Sequence, residues 1–236
     1  MRLVHGLTFA AAIALIVPSL AAQGAAGQAQ ETTRKVEGGG ITVAGWTGKM
    51  DETRENAGLT VNDAKFAPAP GGGFLVVTGP SMTYWNPANK ATGNYTIEAT
   101  FSEKEYMNLN SHPHPYGIAF AGNDLGTPNM SILYCSAYGN GTFIMRGFGP
   151  AAFAVNARPE ANAAINKAAA KGAPVTQKIA VTVTADKVEC AVNGTTVGSY
   201  DKASVVGAGK LKSTDGVYGL RFGHNTEAVV TGFTKK

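Results

Sequence analysis

Apolar and polar positions along this 236-residue chain follow the pattern of short β-strands. The clearest case is residues 95–101, where Tyr95, Ile97, Ala99 and Phe101 share one parity and Thr96, Glu98 and Thr100 share the other. Successive side chains of a strand point to opposite faces, so one face is core and the other is wet. Residues 179–184 and 188–192 repeat the alternation across the short link Ala185-Asp186-Lys187. Asn193-Gly194 then signals a two-residue hairpin, because a type I′ turn needs positive φ at both central positions. Residues 195–200 follow as a third antiparallel strand. Further strands are expected at 74–78, 116–121, 131–138, 142–148, 217–222 and 228–233, with hairpin tips at Gly139-Asn140-Gly141 and Gly223-His224-Asn225. Many short strands at a spacing of roughly 8–15 residues predict a two-sheet sandwich or a barrel.

One stretch reads as helix. Residues 159–171 are rich in Ala, with Glu160 near the start and Lys167 and Lys171 near the end, as the helix dipole prefers. Gly172 and Pro174 would stop it. It is expected as a short insertion packed beside the sandwich.

The N-terminus indicates export. Arg2 and His5 precede an apolar run over residues 7–17, Pro18 breaks it, and Ser19, Leu20, Ala21 and Ala22 follow. A charged start, a core too short to span a bilayer and a small-residue cleavage zone describe a signal peptide over residues 1–22. Residues 23–40 read as a flexible lead-in ending in Gly38-Gly39-Gly40, and residues 41–236 as one β domain. No later segment has the apolar length of a membrane span. The net charge of +4 is mild and carries no basic cluster, which argues against nucleic acid.

Cys135 and Cys190 are the two cysteines. In an oxidising compartment an even count suggests a disulfide; the alternative is two separate buried thiols. Both lie in strand-type runs, so a bridge requires those strands to be neighbours or to face each other across the core.

The C-terminal part carries a resemblance. The run Val-Glu-Cys-Ala-Val-Asn-Gly-Thr-Thr-Val from Val188 is followed by Asp215-Gly216-Val217-Tyr218-Gly219-Leu220-Arg221-Phe222, then His224-Asn225 and a last strand through Phe233. This resembles the closing section of the concanavalin A-like lectin/glucanase superfamily, the laminin-G-type jelly rolls. Gly45-Trp46 and Gly93-Asn94-Tyr95 also suit it. Among named groups it is remotely similar to the exported DUF1080, or 3-keto-disaccharide hydrolase, domains. The Asn-Ser-Gly-x-x-x-Arg and Glu-x-Gln-Ile-x-Asp stretches of that group are absent here. The resemblance implies an all-β, antiparallel two-sheet jelly roll and an association with carbohydrate, and it leaves the activity of those relatives without its motifs.

Several residues are candidates for chemistry. Ser111-His112-Pro113-His114-Pro115 is the most unusual string. His-x-His on an extended segment puts both imidazoles on one side, which suits zinc or copper, and His224 is the remaining mature histidine. The alternative is a rigid surface loop. Calcium is a weaker possibility at Asn123, Asp124 and Asn129, since it wants six or more oxygens. Tyr84-Trp85-Asn86 is a candidate sugar platform, an aromatic face beside an amide. Trp46 is expected in the core. Arg146 and Arg221 sit on strands where either would face a groove or the wet side of a sheet, and Glu98 would line a concave face. Glycoside hydrolysis needs paired carboxylates. The glucanase string Glu-x-Asp-x-x-Glu is absent, and Glu103-Lys104-Glu105 reads as a solvated cluster. These residues point first to a glycan-binding module without catalysis of its own. An enzyme acting on a glycoside, metal-assisted through His112 and His114, is the alternative, and a cell-envelope interaction domain the third reading.

Overall fold

The computed structural model describes residues 32–53 and 56–236. The expected signal peptide lies outside them, and Glu31–Lys236 cluster as one unit. Among the described residues sixteen strands follow in order: β1 Gly40–Ile41, β2 Thr47–Met50, β3 Lys65–Pro68, β4 Phe74–Val77, β5 Met82–Ala91, β6 Tyr95–Glu103, β7 Tyr116–Asn123, β8 Ser131–Tyr138, β9 Thr142–Phe148, β10 Ala152–Ala154, β11 Glu160–Ala161, β12 Val175–Val183, β13 Lys187–Val192, β14 Thr195–Asp201, β15 Gly216–Phe222 and β16 Glu227–Lys235. The first sheet runs β1-β3-β4-β16-β6-β12-β13-β14. The second runs β10-β9-β8-β7-β15-β5-β2, with β11 also paired to β9. All pairings between these strands are antiparallel except β1 with β3. The molecule is therefore an all-β jelly-roll sandwich.

Alternation builds the core. In β6 the odd-numbered residues Tyr95, Ile97, Ala99 and Phe101 face inward, and in β12 Ile179, Val181 and Val183 do the same. Tyr116, Ile118 and Phe120 of β7, Leu133 and Cys135 of β8, and Leu220 and Phe222 of β15 meet them from the second sheet. Each fully buried large apolar side chain contributes about 1.5–3 kcal/mol. Cys135 on β8 and Cys190 on β13 are joined as a disulfide between the two sheets, with Cα atoms 6.0 Å apart. Trp46 packs half-buried against Phe66 and Phe74, ring centroids 4.8 and 4.9 Å away, closing one end of the core.

Asn193 and Gly194 adopt positive φ, 51° and 86°, at the β13–β14 tip. The Asn193 side chain accepts from Lys178 N at 2.8 Å and donates to Ala164 O at 2.8 Å. Here the sequence expectation of a helix over 159–171 is corrected. Residues 160–161 form β11, Lys167 pairs with Asn140 in an isolated antiparallel bridge, and the rest is turns and irregular chain. Asn162 Oδ1 takes the N–H of Ala164, Gly139 O takes that of Ala168, and Tyr106 O takes that of Gly172. A short Ala-rich segment is marginal as a helix. Its one large apolar side chain, Ile165, is buried in the core, so there is no apolar stripe to hold a helix down. Strand edges and Asn side chains satisfy the backbone instead. The one α-helix among the described residues is α1, Lys202–Val205.

The lead-in also differs from expectation over its described part. Thr33 is buried, Val36 N donates to Asp63 O at 3.2 Å, and Gly40 already belongs to β1. Polar backbone and hydroxyl partners, rather than apolar bulk, hold this segment to the domain. Among the described residues no helix is long and apolar enough to cross a membrane.

Candidate functional site

Strand register brings three histidines together. β15 pairs antiparallel with β7, with Arg221 opposite Gly117 and Phe222 opposite Tyr116. Continuing that ladder sets Gly223 against Pro115, and Gly223 N does donate to Pro115 O at 2.7 Å. The next rung sets His224 against His114, and His112 lies two residues back on the same side of the extended segment. One ligand atom of each of the three lies within 4.8 Å of the others. The His114 and His224 ring centroids are 3.9 Å apart, edge to face, and those of His112 and His114 are 4.4 Å apart. His112 is exposed, His114 half-buried and His224 buried.

The surroundings are tied down. Gly223 has no side chain because a Cβ there would sit 2.9 Å from Pro115 Cδ and 3.1 Å from His114 Cβ. Thr78 Oγ1 donates to Gly223 O at 2.7 Å and accepts from Thr226 N at 2.9 Å. Asn225, at φ 49°, accepts from Arg34 N at 3.0 Å through its side chain, and its carbonyl accepts from Asn110 Nδ2 at 2.9 Å. Thr33 Oγ1 lies 3.2 Å from His224 Nδ1.

Beside this cluster is a cleft of about 130 Å³ lined by Glu103, Asn108, Leu109, Asn110, Asn225 and Glu227. Glu103, expected as part of a solvated cluster, is instead buried. It continues the inward parity of β6, and its Oε2 has no hydrogen-bond partner among the described residues. Burial pushes its carboxyl up to about 7, against the weaker opposing effect of the Met107 N–H on Oε1. The Tyr116 hydroxyl is likewise buried without a hydrogen-bond partner among the described residues.

The outer face of the second sheet holds a different cluster. Arg221 Nη1 donates to Asp51 Oδ1 at 2.6 Å and to Thr83 Oγ1 at 3.1 Å, and its Nη2 donates to Asp51 Oδ2. Its guanidinium lies 5.1 Å from the Tyr134 ring centroid and 5.2 Å from that of Phe148, within cation–π range. Burial works against this cation, but Asp51 and Tyr134 hold its pKa above the ordinary value. A cleft of about 310 Å³ opens over the cluster, lined by Lys49, Asp51, Thr53, Met130, Phe148 and Pro150 among others. Sequence reasoning left Arg221 undecided and missed Asp51, Tyr134 and Phe148. Same-face parity of 132, 134 and 138 with 144, 146 and 148 was the available signal.

The remaining candidates fall elsewhere. Tyr84, Trp85 and Asn86 do not form a platform. Tyr84 is stacked inside the core on Phe66 at 4.7 Å, and Trp85, next along the strand, points to the opposite face and is buried. Adjacent strand residues cannot share a face. Asn86 Oδ1 accepts from Ala88 N at 2.9 Å, a local turn contact. Glu98 faces outward from the first sheet with Lys236 at 2.8 Å and Lys178 at 3.3 Å; Lys236, then Lys178, hold its carboxyl below the usual range. Arg146 lies opposite Tyr134 in the second sheet, with Nε buried and without a hydrogen-bond partner among the described residues. Asp124 forms an ion pair with Lys212, and Asn123 Nδ2 donates to Ala121 O and Asp215 O. That places a lysine rather than further oxygens against Asp124 at this rim, which does not suit calcium.

No family model and no curated protein sequence matches the chain. Solved structures do. A carbohydrate binding module, CBM66, from Bacillus subtilis superposes with TM-score 0.54 at 10% identity, covering 84% of this chain and 99% of that one. A Bacillus subtilis protein of unknown function with a galectin-like fold gives TM-score 0.52 at 14% identity, covering 80% of this chain and 88% of that one. At such identities the likeness is one of fold alone, that of an antiparallel two-sheet jelly-roll sandwich.

Proposed function

We propose that this chain is an exported carbohydrate-binding β-sandwich module that holds a glycan against the outer face of its second sheet. The observation that carries the reading is the cleft over Asp51, Arg221 and Phe148. Its volume of about 310 Å³ is that of a small-ligand site. Phe148, Met130 and Pro150 offer apolar surface to sugar C–H groups, while Lys49, Asp51 and Thr53 offer hydroxyl partners. The Asp51–Arg221 pair fixes the floor, so little ordering is required on binding. The fold shared with a carbohydrate binding module agrees with this reading, and the disulfide suits an oxidising compartment outside the cytoplasm.

Affinity electrophoresis and a glycan array test it. The chain is expected to be retained by at least one polysaccharide. Phe148→Ala, with an unchanged far-UV spectrum, is expected to weaken binding about tenfold, equivalent to about 1.4 kcal/mol. Failure to bind any glycan in the panel overturns the reading in favour of a cell-envelope interaction domain. The histidine cluster favours a second reading, metal-assisted action on a glycoside akin to the DUF1080 group. Zinc-dependent release of reducing sugar would support that reading; its absence would remove it.

A further inference from the structure

We propose that His112, His114 and His224 form a binding site for one divalent transition-metal ion of the zinc or copper class, independent of the glycan cleft. Three observations combine. The ligand atoms converge within 4.8 Å. They do so because of sheet register: the β7–β15 ladder ends at Phe222 and Tyr116, the Gly223–Pro115 hydrogen bond continues it, and the His224 and His114 rings meet just beyond. The supporting groups are already in place: Thr33 at the His224 ring, Asn110 on Asn225 O, and Thr78 on Gly223 O.

The donor set selects the ion. Imidazole nitrogens suit zinc, copper and nickel, whereas calcium and magnesium want oxygen. A zinc ion at about 2.0–2.1 Å from each nitrogen would draw the three nitrogens to roughly 3.3 Å apart. His112 is exposed, His114 half-buried and His224 buried beside Thr33, so the closure would fall mainly to the His112 and His114 rings. A metal-binding histidine commonly gives its other ring N–H to a fixed acceptor. The Thr33 hydroxyl, 3.2 Å from His224 Nδ1, is so placed. Three protein ligands leave a fourth position for water or an incoming oxygen donor, as in open rather than closed zinc sites. His112 lies at the surface, so the ion has direct access from solvent.

The site also joins the two ends of the domain sequence. Thr33 and Arg34 lie just before β1 and contact His224 and Asn225, just before β16. Metal bound at His224 would therefore reinforce the attachment of the 32–34 segment.

The test uses the full mature chain without an affinity tag. Isothermal titration with ZnCl2 and CuCl2, and visible spectra after CoCl2 addition, are compared for the wild type, His112→Ala/His114→Ala and Thr33→Val. The wild type is expected to bind one ion per chain and to give tetrahedral cobalt bands. The double variant should lose at least 100-fold in affinity, and Thr33→Val about tenfold. His112 and His114 lie on an exposed, proline-flanked segment, so the double variant is expected to fold, as far-UV spectra would show. Should it not, His112→Ala alone serves, with at least a tenfold loss expected. Sub-stoichiometric binding, equal affinity in the variants, or octahedral cobalt bands would overturn the proposal. Glycan binding measured alongside should be unaffected by the histidine substitutions, which separates failure of this site from failure of the glycan reading.

Discussion

His224 faces His114 one rung beyond the Gly223–Pro115 contact that extends the β7–β15 ladder, with ring centroids 3.9 Å apart and planes at 87°. The residues are 110 positions apart in sequence, and only pairing of those two strands makes them neighbours. The absence of a Gly223 side chain allows the approach, since any Cβ there would press on Pro115 and His114. The same register carries Arg221 to the outer face three residues earlier, where it meets Asp51. β15 and the turn that follows it thus supply a central residue to each of the two candidate sites.

Breaking the Asp51–Arg221 pair should be costly. The side chains are only 16% and 8% exposed, and removing one partner strands a buried charge. Asp51→Asn is expected to destabilise the fold by about 3–5 kcal/mol, while Asp51→Leu/Arg221→Met should recover much of that loss. Urea denaturation measures both. A loss under about 1 kcal/mol in the single variant would show that water already solvates the guanidinium.

Glu103 should make stability fall as pH rises. Its folded pKa of about 7 lies above its ordinary value of 4.5, so the folded state holds the proton more tightly than the unfolded one. The contribution is neutral below about pH 4.5, becomes increasingly unfavourable as pH rises toward 7, and levels off above that, reaching at most about 3 kcal/mol. Glu103→Gln keeps the shape and removes the titration. Thermal unfolding from pH 4 to 8 is expected to show a slope in the wild type that is reduced in the variant. Identical profiles would mean that the carboxyl is hydrated in the folded state.

The disulfide closes a sequence separation of 55 residues and ties one sheet to the other. Cys135→Ala/Cys190→Ala is expected to cost about 3–4 kcal/mol, by restoring chain entropy to the unfolded state. Alanine avoids leaving a buried hydroxyl without a partner. Both sulfurs are fully buried, so the native protein should resist alkylation in mild reductant. Mass spectrometry after iodoacetamide, with and without denaturant, tests this directly. Ready labelling of native protein would show that the bond is open to solvent.

Much of the sandwich was legible in the order of residues. The parity of 95–101 in β6, of 179–183 in β12 and of 188–192 in β13 gives their inner faces, and Asn193-Gly194 gives their turn. Alternation is a property of the extended backbone itself, so it can be read without knowing what a strand packs against. The same parity, carried two residues further, puts Glu103 on the inner face, although its charged neighbours suggested solvent. The adjacent Tyr84 and Trp85 could not have formed one surface, for the same reason. The His-x-His spacing was also visible, as two imidazoles on one side of a stiff segment.

What the order of residues could not decide was which distant strands lie side by side. The third histidine joins the pair only through β7–β15 register, Asp51 meets Arg221 only because β2, β5 and β15 are consecutive in the second sheet, and Cys190 reaches Cys135 only across the packed core. The 159–171 segment shows the converse: its local composition favours helix, but neighbouring strand edges and the Asn193 side chain offer its backbone better partners. Local chain geometry dictates which side chains share a face. Strand pairing depends on the summed burial of all the faces at once, and so both candidate sites were assembled by tertiary structure from residues that sequence places far apart.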